Sequence, residues 1–197
     1  RSSNLERETE VTLAAEVVTE GSAALPGEVL CALVRRLAKG GQSEVTKNGE
    51  RVKLVSGASK FDLRYLALDD FPGGKVMGEG AVGFVMPAIA LRSLLASVLY
   101  ACDPKDSRPY CQGPHLIADG PKMAAMATDG LRLAECAIDL PKGAATMPTI
   151  MVPAEAVAQI LDMLADADLT SEVELTVSST LLEVRMPNVR LATRLLD

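Results

Sequence analysis

The stretch MPAIALRSLLASV at residues 86–98 contains the pattern that decides the fold. Large apolar residues stand four, seven, eight and eleven positions after Pro87, and this spacing places them on one face of an α-helix. Proline is favourable at the first helical position, because the N–H that it lacks would have no partner there. The stretch therefore predicts an amphipathic helix that starts at Pro87. Its apolar face comprises Leu91, Leu94, Leu95 and Val98.

The same pattern follows Pro26 and Pro153. The intervals between the three prolines are 61 and 66 residues. An apolar residue precedes each proline, and a glycine pair at 40–41 would end the first helix. Alternating segments predict one strand before each helix and a three-strand meander after it. The predicted entry strands are 11–17, 81–85 and 149–152. The predicted meanders are 44–47, 51–56 and 60–66, then 115–118, 122–128 and 131–138, and finally 172–177, 181–186 and 189–195.

The chain is thus predicted to contain three copies of a strand-helix-three-strand unit, which is an α+β arrangement. One such unit cannot bury its helix and a sheet face alone, so the units should pair into domains. The second and third units would form one nearly complete domain at 80–197. The first unit, at 1–79, would be half of an earlier domain whose other half is expected upstream of Arg1. Glycines at 73–80 predict a linker between the two.

Composition and charge narrow the class of protein. Hydrophobic residues make up 48% and charged residues 23%, which is typical of a globular chain, and the net charge of −6 argues against bulk electrostatic coating of nucleic acid. Four cysteines at irregular spacing predict free thiols in a reducing compartment, and Cys102, Cys111 and His115 do not have the spacing of a zinc site. The apolar run at 81–101 contains a proline and Arg92, so we interpret it as strand and helix, and no signal peptide is expected.

Two alternating segments meet at Asp129-Gly130, within MAAMATDGLRLAECA at 123–137. Asp-Gly in this setting predicts a tight type I′ hairpin turn, in which both central residues have positive φ. The block 128–133 also places a hydroxyl, a carboxylate and a guanidinium beside two leucines, a mixture that suits a binding surface. The alternative is an ordinary polar turn. The corresponding turns, which we assign to 56–59 and 178–180, lack this mixture, and this difference favours the binding surface.

Five motifs stand in order along the chain: SNLE at 3–6, FDLRYL followed by DDFP at 61–72, ATDGLRLA at 127–134, the helix start Val152-Pro153, and TRLLD at 193–197. Together they resemble the bacterial DNA polymerase III beta subunit, the DNA sliding clamp family, and the resemblance covers essentially the whole chain. It implies the DNA clamp fold, in which helices line the inner face of a ring and antiparallel sheets form its outside. Family subunits have three domains, and the third would be absent from this sequence.

The resemblance implies a non-catalytic processivity factor. A ring around duplex DNA tethers the replicative polymerase by enclosure, so it contacts phosphates loosely and needs no base readout. No catalytic residue, metal or cofactor is implied. The implied partners are duplex DNA, replicative and translesion polymerases, the clamp loader and a second subunit in a homodimeric ring, with no membrane. The implied location is the cytoplasm, in association with the nucleoid.

The resemblance also carries two sets of site residues onto this chain. The partner-peptide site comprises Cys111, Thr128, Gly130, Leu131, Arg132 and Leu133. The DNA contacts comprise Arg35, Arg36, Lys39, Arg92, Lys105 and Arg108. The first three of these cations would equally complement a helix dipole. Leu131 replaces a histidine or aromatic residue of the motif, and 109–113 departs from the usual pattern. Glu28 and Glu155 stand where the family tends to place basic residues, and they would repel phosphate.

Two other interpretations stay open. A shortened clamp-like protein would bind clamp partners without encircling DNA, as the absent third domain and the two glutamates suggest. An unrelated small enzyme would use Thr128, Asp129 and Arg132 in an active site. The enzyme hypothesis lacks a general base or a metal ligand near these residues in the sequence.

Overall fold

The computed structural model describes residues 1–38, 40–66, 68, 71–72, 74–165, 168 and 170–197. Within these residues it has three α-helices and thirteen β-strands. The helices are α1 (Gly27–Val34), α2 (Ala88–Leu99) and α3 (Ala154–Ala165). The strands are β1 (Ser2–Ser3), β2 (Arg7–Val11), β3 (Ser43–Asn48), β4 (Arg51–Ser56), β5 (Ser59–Arg64), β6 (Val82–Pro87), β7 (His115–Asp119), β8 (Lys122–Thr128), β9 (Leu133–Asp139), β10 (Ile150–Met151), β11 (Glu172–Val177), β12 (Leu181–Met186) and β13 (Val189–Arg194).

Each helix begins directly after the proline that predicted it. Pro26 and Pro87 are N-cap residues, so the prediction of proline at the first helical position is wrong by one residue. The proline carbonyl accepts the first helical hydrogen bond, from Leu30 N–H to Pro26 O at 3.0 Å, which is the usual arrangement at an N-cap. The first helix ends at Val34, before the last predicted apolar position, Leu37.

The strands form three antiparallel sheets. The six-stranded sheet has the order β1-β2-β13-β12-β11-β6, the four-stranded sheet β10-β7-β8-β9, and the three-stranded sheet β3-β4-β5. The second and third units exchange their entry strands: β6 pairs with β11 of the third meander, and β10 pairs with β7 of the second. The predicted pairing of these two units is therefore built into the sheet topology.

The chain divides into two compact units. The larger unit consists of Arg1–Leu13 and Gly74–Asp197, and the smaller unit is Ala14–Gly73. The first thirteen residues join the larger unit because β2 pairs with β13. The predicted entry strand at 11–17 is wrong beyond Val11. Its pairing ends with the Thr12 N–H bond to Asn188 O, since Asn188 already lies in the turn before β13.

The core of the larger unit lies between α2, α3 and the sheets around them. The predicted apolar stripes are buried here: Leu91, Leu94, Leu95 and Val98 on α2, and Val157, Ile160 and Leu164 on α3. Among the described residues of the smaller unit the buried ones are Ala24, Val52 and Leu54, and none of the eight residues of α1 is buried. Asp69 and Asp70 of the DDFP motif lie outside the described residues.

Candidate functional site

The predicted hairpin at Asp129-Gly130 is a four-residue loop at 129–132, which connects β8 and β9. Thr128 is paired with Leu133, and Gly130 has a positive φ (87°) whereas Asp129 does not. The predicted two-residue type I′ turn is therefore wrong. The physical reason is that side chains next to the loop bond its amides. The Thr128 hydroxyl accepts from Gly130 N–H at 3.0 Å, which favours this wider loop.

The Asp129 carboxylate lies at the centre of this loop. Its Oδ1 accepts from Leu131 N–H at 2.9 Å and from Arg132 N–H at 3.0 Å, and its Oδ2 accepts from Arg132 Nε at 2.8 Å. These bonds, with the backbone donors first, lower the pKa of Asp129 below its usual value. The Arg132 guanidinium lies 5.6 Å from the centre of the Tyr100 ring, at the end of α2.

Arg108 approaches the loop from the other side. It forms two bonds to the Asp106 carboxylate, at 2.9 and 2.7 Å, and donates from Nη2 to Asp129 O at 3.0 Å. The pKa of Asp106 is lowered to about 2 by its hydrogen bonds from Arg108. A Cβ at Gly130 would lie 2.8 Å from both terminal nitrogens of Arg108, so this flexible side chain would have to move, while the positive φ of residue 130 favours glycine directly.

Large side chains on and beside this hydrogen-bonded loop are exposed to solvent. Leu131 is 97% exposed, and Leu133, Tyr100 and Tyr110 are also exposed. We call these four residues, together with Arg108 and Arg132, the hairpin patch. Exposed leucine and tyrosine side chains beside guanidiniums, next to a hydrogen-bonded loop, are typical of a protein-interaction surface. Sequence reasoning missed Tyr100 and the organising roles of Asp106 and Asp129. The tyrosine at the end of a predicted helix was the available signal.

Cys111 does not belong to this exposed surface. It is fully buried at the end of the 3₁₀ turn Pro109–Cys111, and its carbonyl accepts from Asp103 N–H at 2.8 Å. Burial raises the pKa of its thiol. Cys111 therefore lies below the surface, and its predicted contact with a peptide stays a prediction. Its buried position at the end of the 3₁₀ turn indicates a packing role.

The candidate DNA contacts fall in different places. Arg35 and Arg36 follow the end of α1, Arg92 is exposed on α2, and Lys105 is exposed after it. Lys39 lies outside the described residues. Arg108 belongs to the hairpin patch, where Asp106 neutralises it.

The two glutamates at the helix starts differ in their partners. Glu155, in the first turn of α3, is paired with Arg7 of β2 at 2.6 Å. Glu28, in the first turn of α1, forms no ion pair with any residue that the structure describes. Glu155, one of the two glutamates predicted to repel phosphate, therefore has a counter-ion in Arg7.

The described part of the chain contains no group of three or more His, Cys, Asp or Glu side chains that could hold a metal ion. Among the described helices, none is long and apolar enough to cross a membrane. His115 lies in β7, where it pairs with Met126 and Met151.

The links between corresponding strands differ in length among the three meanders. The links between the second and third strands are 57–58 in the first meander, 129–132 in the second and 187–188 in the third. The earlier assignment of 178–180 is wrong, because that turn connects β11 to β12. The polar-and-leucine block still occurs in only one of the three copies.

Comparison with known proteins extends these observations. The family model of the DNA polymerase III beta subunit, central domain, matches residues 86–197. Beta sliding clamps of Proteus mirabilis and Caulobacter vibrioides are 27% and 28% identical over 179 and 191 residues, or 90% and 93% of this chain. A crystal structure of the DnaN sliding clamp (DNA polymerase III subunit beta) from Bartonella birtlesii, bound to griselimycin, is 26% identical with a TM-score of 0.89.

The matched regions cover 47% and 50% of the two curated relatives. The structural match includes all of this chain and 53% of the Bartonella chain. The chain therefore spans about half the length of the relatives that it matches. The predicted α+β clamp fold and the predicted non-catalytic polymerase subunit are confirmed by these matches. The family model covers more than half of the sequence, and the chain belongs to the DNA polymerase III beta subunit family, the bacterial sliding clamps.

Proposed function

We propose that this chain serves in a ring that encircles duplex DNA and tethers the replicative polymerase as a processivity factor. Family membership and the paired helix-meander units support this proposal. In it, 1–79 is the second half of a first clamp domain, although its residues 1–13 and 74–79 belong to the larger compact unit, and 80–197 is a second clamp domain. The full-length protein forms a homodimeric ring and works in the cytoplasm, at the nucleoid.

The hairpin patch is the proposed docking site for short peptides of replicative and translesion polymerases and of the clamp loader. One observation carries this part: Leu131 is almost fully exposed on a loop whose amides are bonded by side chains. An extended peptide with bulky apolar side chains would cover Leu131 and Leu133. The two tyrosines would flank it.

The docking proposal can be tested with griselimycin, which is bound to the Bartonella clamp. Isothermal titration calorimetry of the 197-residue chain should show saturable binding. Leu131→Ser should weaken it by at least tenfold, since anchor residues of an interface contribute about 1–2 kcal/mol or more. Val85→Ala is the matched control, because Val85 is also exposed but lies on β6, outside the patch. Equal affinity of the parent and Leu131→Ser chains would contradict the site.

Encirclement can be tested by retention on DNA. The full-length protein, loaded on circular plasmid, should be retained there and lost after linearisation, because a ring can slide off a free end. The candidate contacts are Arg35, Arg36, Lys39, Arg92 and Lys105, while Arg108 is the weakest candidate because Asp106 holds it. Replacing Arg92 and Lys105 should reduce retention on the circle as salt rises.

A clamp-like protein that binds partners without encircling DNA is the second candidate. Glu28 at the start of α1, which has no ion-pair partner in the described part of the chain, favours it, since this charge would repel phosphate. Equal loss from circular and linear plasmid, with griselimycin still bound, would support this second function over the first.

A further inference from the structure

We propose that Asp129 is a positioning residue of the docking loop, which sets the exposure of Leu131 and the direction of Arg132. This inference rests on the proposed docking function and deepens it. The role is indirect, because the Asp129 side chain is only 15% exposed and is occupied by the protein's own donors.

The first support is the number of loop groups that depend on this one side chain. Of the three N–H groups at 130–132, two donate to Asp129 Oδ1, and the third donates to the Thr128 hydroxyl. The Thr128 hydroxyl donates in turn to Arg132 O at 2.6 Å. Without the Asp129 carboxylate, the amides of Leu131 and Arg132 would lose these side-chain hydrogen bonds, and the loop would no longer be held in one conformation.

The second support is that Asp129 connects both guanidiniums of the hairpin patch. Its carboxylate binds Arg132 Nε, and its backbone carbonyl accepts from Arg108 Nη2. Arg132 lies near the Tyr100 ring and Arg108 lies 5.5 Å from the centre of the Tyr110 ring. The residue therefore fixes the spacing of the cations on both sides of Leu131.

Closure of the hairpin does not by itself require this carboxylate. The corresponding strands of the other two meanders are joined by the two-residue links Gly57-Ala58 and Pro187-Asn188, which have no acidic side chain. The extra length and the carboxylate occur together only at 129–132. We assign them to presentation of the loop and not to strand pairing.

Two substitutions separate the contributions of Asp129. Asp129→Asn retains an acceptor oxygen for the two amides but loses the charge opposite Arg132. Asp129→Ala loses both. The matched control is Asp139→Ala, which removes an exposed carboxylate from β9 together with its ion pair to Lys122 at 2.6 Å.

The experiment measures griselimycin affinity of the 197-residue chain by calorimetry and amide exchange at Leu131 by NMR. Asp129→Ala should weaken binding about 30-fold and accelerate exchange at Leu131 about 100-fold, with the β8 and β9 amides unchanged. Asp129→Asn should restore slow exchange and most of the affinity. Asp139→Ala should match the parent chain.

Each outcome decides between the two proposals. Unchanged exchange and affinity in Asp129→Ala would overturn the positioning role, as would equal acceleration throughout β8 and β9, which indicates a structural role only. If the parent chain fails to bind griselimycin, the docking proposal fails. In that case the exchange at Leu131 still decides whether Asp129 holds the loop.

Discussion

Val34 and Leu95 occupy the same place in the repeat, eight residues after the proline that precedes their helix, yet their surroundings differ. Leu95 on α2 is 1% exposed, whereas Val34 on α1 is 52% exposed. In the larger unit α2 and α3 pack against each other, and the smaller unit has only α1 among its described residues. An apolar stripe therefore predicts a helix, but a partner helix decides whether that stripe is buried.

The two units differ in buried charge as well. In the larger unit Glu8 is 1% exposed and bonds Arg190 Nη1 at 3.0 Å and Lys75 N–H at 3.1 Å. Arg190 also bonds Glu183 at 2.8 Å and Lys75 O at 3.2 Å. In the smaller unit the acidic residues of the sheet, such as Glu44 on β3, are exposed. The same meander thus has a compact interior in one unit and solvated faces in the other.

The largest expected effect comes from breaking the buried charge. Glu8→Ala leaves the largely buried Arg190 without the most buried of its three carboxylate partners, Glu8, Glu10 and Glu183, which costs about 3 kcal/mol of the larger unit's unfolding free energy. Lys75 loses an anchor, so trypsin should cleave after it faster than in the parent chain. Denaturant unfolding and timed proteolysis measure the two effects.

Glu44→Ala in the smaller unit is the control for Glu8→Ala. Its effect should stay within about 0.5 kcal/mol, because Glu44 is exposed. Equal effects of the two substitutions would show that the charge of the larger unit is not effectively buried.

A pair of truncations tests the apolar half of the comparison. Leu95→Ala should lower the stability of the larger unit by about 3 kcal/mol, through lost transfer energy and a cavity. Val34→Ala should cost less than about 1 kcal/mol, since half of its surface is already in water. Hydrogen exchange at β8 and β4 reports the two units separately. A cost at Val34 similar to that at Leu95 would mean that α1 is covered in solution.

Thiol reactivity gives a third, kinetic comparison. Cys31 on α1 is exposed, whereas Cys111 is buried with a raised pKa. Burial and then the neighbouring Cys111 raise the pKa of Cys102 to about 11. At pH 8 Ellman's reagent should modify Cys31 within seconds to minutes and the other two at least about 100-fold more slowly, since the thiolate is the nucleophile.

The raised pKa of Cys102 predicts how its reactivity and its contribution to stability change with pH. Its neutral thiol stabilises the fold below the unfolded value of about 8.5. That contribution is lost as pH rises towards about 11. The reaction rate of Cys102 should rise about tenfold per pH unit over this window, and a plateau near pH 9 would contradict the shift.

The sequence was sufficient for the helices and the strand order within each meander, because periodicity and prolines are local signals. It could not show that β6 and β10 exchange partners, or that Arg1–Leu13 completes the larger unit's sheet, because those pairings join distant residues. At the candidate site, the motif singled out Leu131 and Arg132, which the structure places on the exposed loop at 129–132, and their role in docking stays a prediction. It could not show that Cys111 is buried, because that burial depends on packing around the 3₁₀ turn. It also could not show that Arg108 reaches across to Asp129.

The smallest expected effect concerns the two glutamates that stand two residues after their prolines. Glu155 has both the helix N-terminus and Arg7 as favourable partners, whereas Glu28 has the helix N-terminus alone among the described residues. Because Glu155 is largely exposed, solvent screening limits the contribution of its ion pair with Arg7 to about 0.5 kcal/mol or less.

Glu155→Gln should therefore destabilise its unit by about 1 kcal/mol, and Glu28→Gln by about half of that. Both losses should fall in 1 M NaCl, because salt screens exposed charges. Thermal unfolding at low and high salt measures the difference, and a larger loss for Glu28→Gln would mean that α1 has a cation partner in solution.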